Sequence, residues 1–265
     1  MRIVSVNAWG GARYDDLAAW LPESKADVVC LQEVTRTTDL GGWTSFEDAD
    51  RSLPQRANLY DDVRALLPGH TALFVASDAG PVTDPEGRRH HQDFGLGTFV
   101  APQVPVLGTA EGFVHGTFTD HDEWEVSERP RAVQGLRVAD PVVTGRTVCV
   151  VQLHGLRDSA GKGDTPARQA QAERLAAFVE ATRADGDLVV VAGDLNLLPG
   201  SATFGVLREV GLTDLVGTAD TRTAAYPKPV RHAGYLLVSD PGAVADFAVL
   251  EAPEVSDHRI LALTL

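Results

Sequence analysis

The sequence predicts one α/β domain of the α+β kind over residues 1–265. Three observations predict it. Short apolar runs with strand character outnumber helical ones, turn residues separate many of them at hairpin spacing, and neither a linker nor a repeat divides the chain. Strict strand–helix alternation is absent, as are GxGxxG and Walker A signatures, so a nucleotide cofactor is not expected.

The elements follow in order. RIVSVNA (2–8) reads as a strand, and YDDLAAWLPES (14–24) as a short amphipathic helix with Leu17, Trp20 and Leu21 on one face. ADVVCLQEV (26–34) is a buried strand, residues 35–58 read as polar and irregular, and Leu59, Val63, Leu66 and Leu67 have helical spacing up to Pro68-Gly69. HTALFVAS (70–77) is a strand, and DAGPVTDPEGRRHHQD (78–93) reads as a loop. Segments 94–101, 104–119 and 131–140 look like antiparallel strands, followed by the strand RTVCVVQLHG (146–155) and a loop at 156–164. The clearest helix is 165–186, with Thr165 as cap, Pro166 in the first turn and Gly186 as terminator. The strand DLVVVAGDLN, a helix at 201–211 and strands at 233–240, 245–252 and 259–265 complete the chain.

Composition bounds the function. Hydrophobic residues make up 44% of the chain, enough for a sizeable core. A net charge of −14 matches a long phosphate backbone poorly. Cys30 and Cys149 lie inside apolar runs and read as buried free thiols. The N-terminus lacks signal-peptide character and no run reaches membrane-spanning length, so a cytoplasmic monomer is expected.

Five strands carry polar groups at or near their ends: Asn7, Gln32-Glu33, Gln152 with His154, Asp194 with Asn196, and Asp257-His258 before the last strand. Each has an ordinary reading alone, as a turn residue, an ion-paired strand end or a hydrogen-bonded core histidine. One site at a common edge of the sheets accounts for all five together. Glu33, Asp257 and Asn7 are hard oxygen donors that suit Mg²⁺, with Mn²⁺ as a substitute, and not structural zinc. Two histidines and an Asp-Asn pair remain to position water and donate to a charged oxygen, a set suited to phosphoryl-ester hydrolysis.

These segments resemble the endonuclease/exonuclease/phosphatase superfamily, also called DNase I-like, across nearly the whole chain. The resemblance rests on SVNAWG, VVCLQEV, VVQLHG, the helix bearing Arg168 and Gln169, VVVAGDLNLLPG and SDHRILAL. It implies a four-layer α/β/β/α sandwich of two packed mixed β-sheets flanked by helices. It implies that Glu33 holds an essential divalent cation near Asn7 and Asp257, and that Asp194 orients or deprotonates the attacking water. Asn196, His154 and His258 would contact phosphate oxygens, with Arg131 as a further phosphate contact. One position departs from the family pattern: Gly234 stands where relatives carry an Asp that orients the final histidine. Asp246 or Asp214 is a candidate replacement; otherwise His258 acts by hydrogen bonding alone, or catalysis is lost and the protein only binds.

The expected reaction is metal-dependent hydrolysis of a phosphodiester first and a phosphomonoester second, a nuclease being the alternative. The acidic chain favours a small phosphate ester over nucleic acid. Arg88-Arg89-His90-His91 reads either as a solvated hairpin tip or as a substrate-facing basic element. Trp43 and Phe46 read as core residues or stacking platforms, and Asp120-His121-Asp122-Glu123 as an acidic turn.

Overall fold

The computed structural model describes residues 1–265. Two mixed sheets pack face to face. The first contains β1 (Arg2–Asn7), β2 (Val28–Arg36), β3 (Trp43–Asp48), β4 (Arg51–Arg56), β5 (Thr71–Thr83), β6 (Arg89–Val100), β8 (Thr119–Asp120), β14 (Asp246–Leu250) and β15 (Ile260–Thr264). Its order is β14-β15-β1-β2-β6-β5-β3-β4, with β8 beside β5. The second contains β7 (Val106–His115), β9 (Arg131–Ala139), β10 (Thr147–His154), β11 (Leu188–Asp194), β12 (Thr213–Asp214) and β13 (Gly234–Val238), in the order β12-β13-β11-β10-β9-β7. The central pairs β1–β2 and β10–β11 are parallel, and their main neighbours run antiparallel.

Strand alternation divides the core. Ile3, Val28 and Cys30 point from the first sheet towards Val148, Val150 and Val190 of the second, within a cluster that continues to α3 (Pro166–Thr182) and α4 (Thr203–Glu209). Val4, Val6, Val29 and Leu31 point the other way, onto Leu17 and Leu21 of α1 (Tyr14–Glu23) and Leu59 and Val63 of α2 (Leu59–Leu66). Each sheet is therefore covered by helices on its outer face, the four-layer arrangement. Both thiols are free and buried, as expected, and burial raises each to about 12.

Polar side chains interrupt the apolar interface between the sheets. Gln32 Nε2 donates to Gln152 Oε1 at 3.0 Å, and Gln152 Nε2 donates to Thr98 Oγ1 at 2.6 Å and to the Gly97 carbonyl at 3.0 Å. Buried amides without such partners would destabilise the interface; paired, they lock one sheet onto the other. Gln32 and Gln152, noted in the sequence with the site residues, thus lie between the sheets.

Three segments differ from the sequence reading. Residues 43–56, expected to be irregular, form the β3–β4 hairpin. Their apolar anchors are widely spaced, and Phe46 is buried only by meeting the distant Phe94 and Trp124. Residues 78–93 are mostly strand, with β5 and β6 paired out to Thr83 and Arg89. Only 84–88 turn, and there Asp84 accepts backbone N–H bonds from Glu86 and Arg88. The long helix ends at Thr182, four residues before Gly186, where Asp187 instead accepts from the Ala184 N–H.

Candidate active site

Asn7, Glu33, His154, Asp194, Asn196 and His258 converge where strand ends of the two sheets meet. Parallel pairing places Asn7 beside Gln32, and His154 beside Asp194. Glu33 is the extra residue of a β-bulge between Gln32 and Val34, with φ of 55°. The bulge turns its side chain away from the strand's normal alternation and into the cluster. Asn196 also has positive φ, at 54°. Both conformations are unfavourable for side chains with a Cβ, and both occur at residues whose direction matters here.

The contacts are direct. Asn7 Nδ2 donates to Glu33 Oε1 at 3.0 Å and to Asp194 Oδ2 at 3.1 Å, so one amide bridges two carboxylates from different sheets. Asp194 Oδ1 accepts the Asn196 backbone N–H at 3.0 Å. Asn196 Nδ2 donates to the Gly155 carbonyl at 3.2 Å and lies 3.4 Å from His154 Nε2. His258 Nε2 is 3.3 Å and His154 Nε2 3.6 Å from Asp194 Oδ2. Asp194 is 2% exposed, so its charge is felt in a low dielectric.

Electrostatics assign protonation states. Burial opposes the charge on Asp194, but His258 and His154, which are protonated in the acid range where Asp194 would titrate, and the cations Arg222 and Lys162 outweigh it and hold the carboxyl well below its usual range. Burial, helped by Arg131, lowers His154 to about 4. Burial and Arg222 lower His258 well below an ordinary imidazole. At neutral pH the centre is therefore an ionised Asp194 between two neutral imidazoles. Asp257 is raised to about 6 by burial and by the charges of Glu33 and Asp194, against the pull of Arg222.

Arg131 enters the cluster. Its Nη1 is 3.3 Å from His154 Nδ1, and its buried Nε has no hydrogen-bond partner. Arg129, two residues earlier, is instead committed to Asp78 through bonds of 2.6 and 2.9 Å. Asp257 lies at the edge, paired with Arg222 Nη1 at 2.6 Å. Arg88 and Arg89 are bound at the β5–β6 tip: Arg88 to Asp84 and Glu86, Arg89 to the Asp122 carbonyl. His121 of the acidic turn lies 3.2 Å from Asp78, and Asp120 pairs with His91. Phe46 lines a depression beside Glu33 with Trp9, Leu53 and Phe94, while Trp43 is exposed and stacks with Arg56.

The expected substitutes for an Asp at 234 do not serve. Asp214 caps the N–H groups of Val216 and Gly217, and Asp246 is exposed on β14. The carboxylates nearest the His258 ring are Asp194 and, at 3.8 Å, Asp257. Gly234 faces Asp194 across β11–β13, and a Cβ there would meet only ordinary contacts with Leu261, Thr221 and Gly193.

Sequence reasoning missed Arg222 and Lys162. Arg222 reaches the site from an irregular segment, bridging β-fashion to His258 and stacking at 3.9 Å over Tyr226. No local spacing marks it. Lys162 had a weak signal as the one lysine in a Gly-rich loop directly following a strand that ends in His154.

A divalent cation fits the donor chemistry. No cluster of three or more His, Cys, Asp or Glu with metal-holding geometry is present. Mg²⁺ keeps several waters and needs only one or two protein carboxylates. The mutual repulsion that lifts Asp257 and acts between Glu33 and Asp194 is what a cation relieves.

Two layered sheets thus gather carboxylates, imidazoles and amides at one end of the molecule. The endonuclease/exonuclease/phosphatase family model matches residues 4–258, and the chain belongs to that family. Among curated proteins, a putative neutral sphingomyelinase of Drosophila melanogaster is 27% identical over 223 residues, 78% of this chain. The chain spans only 41% of that protein's length. Among solved structures, a family member from Bacteroides thetaiotaomicron is 16% identical with a TM-score of 0.69, covering 99% of this chain and 93% of its own. A mannosyl-6-phosphatase from the same species is 15% identical with a TM-score of 0.69, covering 100% and 98%. The human Nocturnin catalytic domain with bound sulfate is 16% identical with a TM-score of 0.66, covering 99% and 92%. At these identities the structural likeness is one of fold.

Proposed function

We propose that the protein is a divalent-metal-dependent phosphoesterase that hydrolyses a phosphodiester by attack of an activated water on phosphorus. The observation that carries this reading is the ionised Asp194 flanked by His154, His258 and the Asn7 amide. Glu33 would hold the cation, with Asn7 and Asp257 beside it, and the bound ion would supply Lewis-acid polarisation of a phosphoryl oxygen. Asp194 accepts the proton of the attacking water and fixes its direction. Asn196 Nδ2 and the N–H groups of the neutral imidazoles donate to the non-bridging oxygens as charge builds on them. Arg131 adds a permanent cation behind His154, lowered by burial only to about 10. The kinship to a putative sphingomyelinase supports placing phosphodiesters first, and the net charge of −14 supports a small substrate over nucleic acid.

The test is a panel assay with and without EDTA, using a bis-aryl phosphate, plasmid DNA and inositol phosphates. Turnover of the diester that vanishes with EDTA and returns with Mg²⁺ or Mn²⁺ is expected. Glu33→Ala is expected to raise the metal concentration needed for half-activity. Turnover insensitive to EDTA, or no turnover of any substrate, would refute the reading.

A further inference from the structure

Lys162 is an ammonium without a counter-ion. It has no carboxylate within ion-pairing distance among the chain's salt bridges, and its Nζ makes one hydrogen bond, at 2.7 Å to the His232 carbonyl. An ammonium has three donors, so two N–H directions are unused by protein groups. Burial lowers Lys162 to about 8, against the opposing pull of Asp194 and Asp257. A cation taken partly out of water and left unpaired is costly, and such an arrangement persists where an anion completes it.

The placement of Lys162 is built. Arg168, 1% exposed at the start of α3, turns its guanidinium onto the loop before it. Its Nη1 donates to the carbonyls of Gly161 at 2.7 Å and Gly163 at 2.6 Å, the two residues flanking Lys162. Its Nη2 donates to the Leu156 carbonyl at 3.2 Å. Asp164 ties the far end of the same loop to Ser201 Oγ at 2.5 Å and the Ala202 N–H at 3.0 Å. A flexible lysine is thereby carried on a backbone gripped at several points. Its Nζ crosses to the 219–233 segment, two residues before Gly234.

The same side of the centre holds Arg222, whose buried Nε has no partner. Both cations act on Asp194 and on His258. Gly234 leaves this side without a carboxylate that would offset them. Only Asp257 answers Arg222, and nothing answers Lys162.

We infer that Lys162 is a substrate-binding residue: with its two free N–H groups it takes an anionic oxygen of the phosphoryl group, in a subsite completed by Arg222. This rests on the phosphoesterase reading for its placement, since the oxygen it takes is a non-bridging oxygen on the phosphorus that the water held by Asp194 would attack.

Calorimetric titration of inorganic phosphate into the full chain with Mg²⁺ present tests it, on wild type, Lys162→Met and Lys162→Arg. A charge-assisted contact of this kind gives an expected loss of affinity of about tenfold or more in Lys162→Met, with Lys162→Arg within about threefold of wild type. Unchanged thermal melting would show that the partly buried position does not govern folding. Wild-type phosphate affinity in Lys162→Met overturns the inference, and so does absence of phosphate binding by wild type at millimolar concentration. Diester turnover is measured on the same samples. Turnover with phosphate affinity indifferent to Lys162→Met removes the subsite and leaves the phosphoesterase. Lys162-dependent phosphate binding without turnover of any ester removes the phosphoesterase and leaves the subsite.

Discussion

His258 Nε2 lies 3.3 Å from Asp194 Oδ2, although His258 stands just before the last strand of the first sheet and Asp194 ends a strand of the second, where it faces Gly234. The carboxylate that stands nearest the histidine is therefore the one proposed to take the proton from water. In that proposal one group both orients the ring and serves as base, and the two tasks cannot be separated by mutation at a single position.

Asp194→Asn is accordingly expected to remove both. The amide keeps the size of the side chain but cannot accept a proton from water, and diester turnover should fall by about 10²–10⁴-fold. Steady-state kinetics alongside circular dichroism checks this: a folded variant retaining wild-type kcat would remove Asp194 as the base.

Glu33→Gly exposes a trade between stability and function. Glu33 adopts φ of 55°, a conformation costing a non-glycine residue about 1–2 kcal/mol. Burial and, less strongly, Asp194 oppose its charge, but His154, Arg51 and the Asn7 amide outweigh them and hold the carboxyl below its usual range. Glycine removes the backbone strain along with these contacts, and relief of the strain is expected to dominate. The metal-free variant should melt at or above the wild-type temperature while losing metal-dependent turnover. A clear drop in melting temperature would show that the Asn7 bond outweighs the strain.

Acid should loosen the metal-free protein. His154 titrates at about 4 in the folded state and an unfolded imidazole near about 6.5. Between these values the unfolded chain binds more protons, so stability present above about pH 6.5 is lost as pH falls towards about 4. His258 acts in the same direction. Asp257, raised to about 6 from 3.8, acts in the opposite one, losing its contribution as pH rises. Two imidazoles against one carboxylate leave a net loss on acidification. Urea midpoints in EDTA should decline over this window, and His154→Gln should decline less steeply. Parallel declines in the two proteins would exclude His154 as a source.

Asp78→Ala should destabilise strongly. Asp78 is 1% exposed and binds Arg129 by two bonds, while the guanidinium sits 4.4 Å from the Trp124 ring centre and 4.6 Å from that of Phe94. Removing one partner strands a buried cation, at a cost of about 3–5 kcal/mol. Chemical denaturation measures it, and a loss below about 1 kcal/mol, the usual worth of an exposed pair, would show that water reaches Arg129.

Two glycines of the same sheet region should answer differently to alanine. A Cβ at Gly193 would stand 2.0 Å from the Leu153 carbonyl oxygen, on a backbone of φ 148°. A Cβ at Gly234 meets nothing closer than 3.6 Å. Gly193→Ala should fail to fold or lose several kcal/mol, whereas Gly234→Ala should gain about 0.4–1 kcal/mol by restricting the unfolded chain. Equal melting temperatures for the two variants would contradict the packing at the strand end.

The strands, the long helix and the six residues at the cluster's heart were legible because each carries a local mark: a valine run, a cap, or a polar group where a strand should be apolar. The β3–β4 hairpin was not, since Phe46 acquires an apolar environment only from partners about fifty and eighty residues away in sequence. The β5–β6 extension was hidden by Gly80 and Pro81, which signal turns locally but sit here in a paired ladder. Arg222 and Lys162 were invisible for a related reason. Both stand on segments without periodicity, and their meaning comes from what lies across from them.

Because Gln32 and Gln152 bolt the sheets together beneath the centre, the separation of Glu33 from Asp194 is set by the chassis and not by the loops above it. The 155–165 and 219–233 segments, which bring Lys162 and Arg222 to the rim, can be redrawn without altering the span between Glu33 and Asp194, because that span belongs to the sheets.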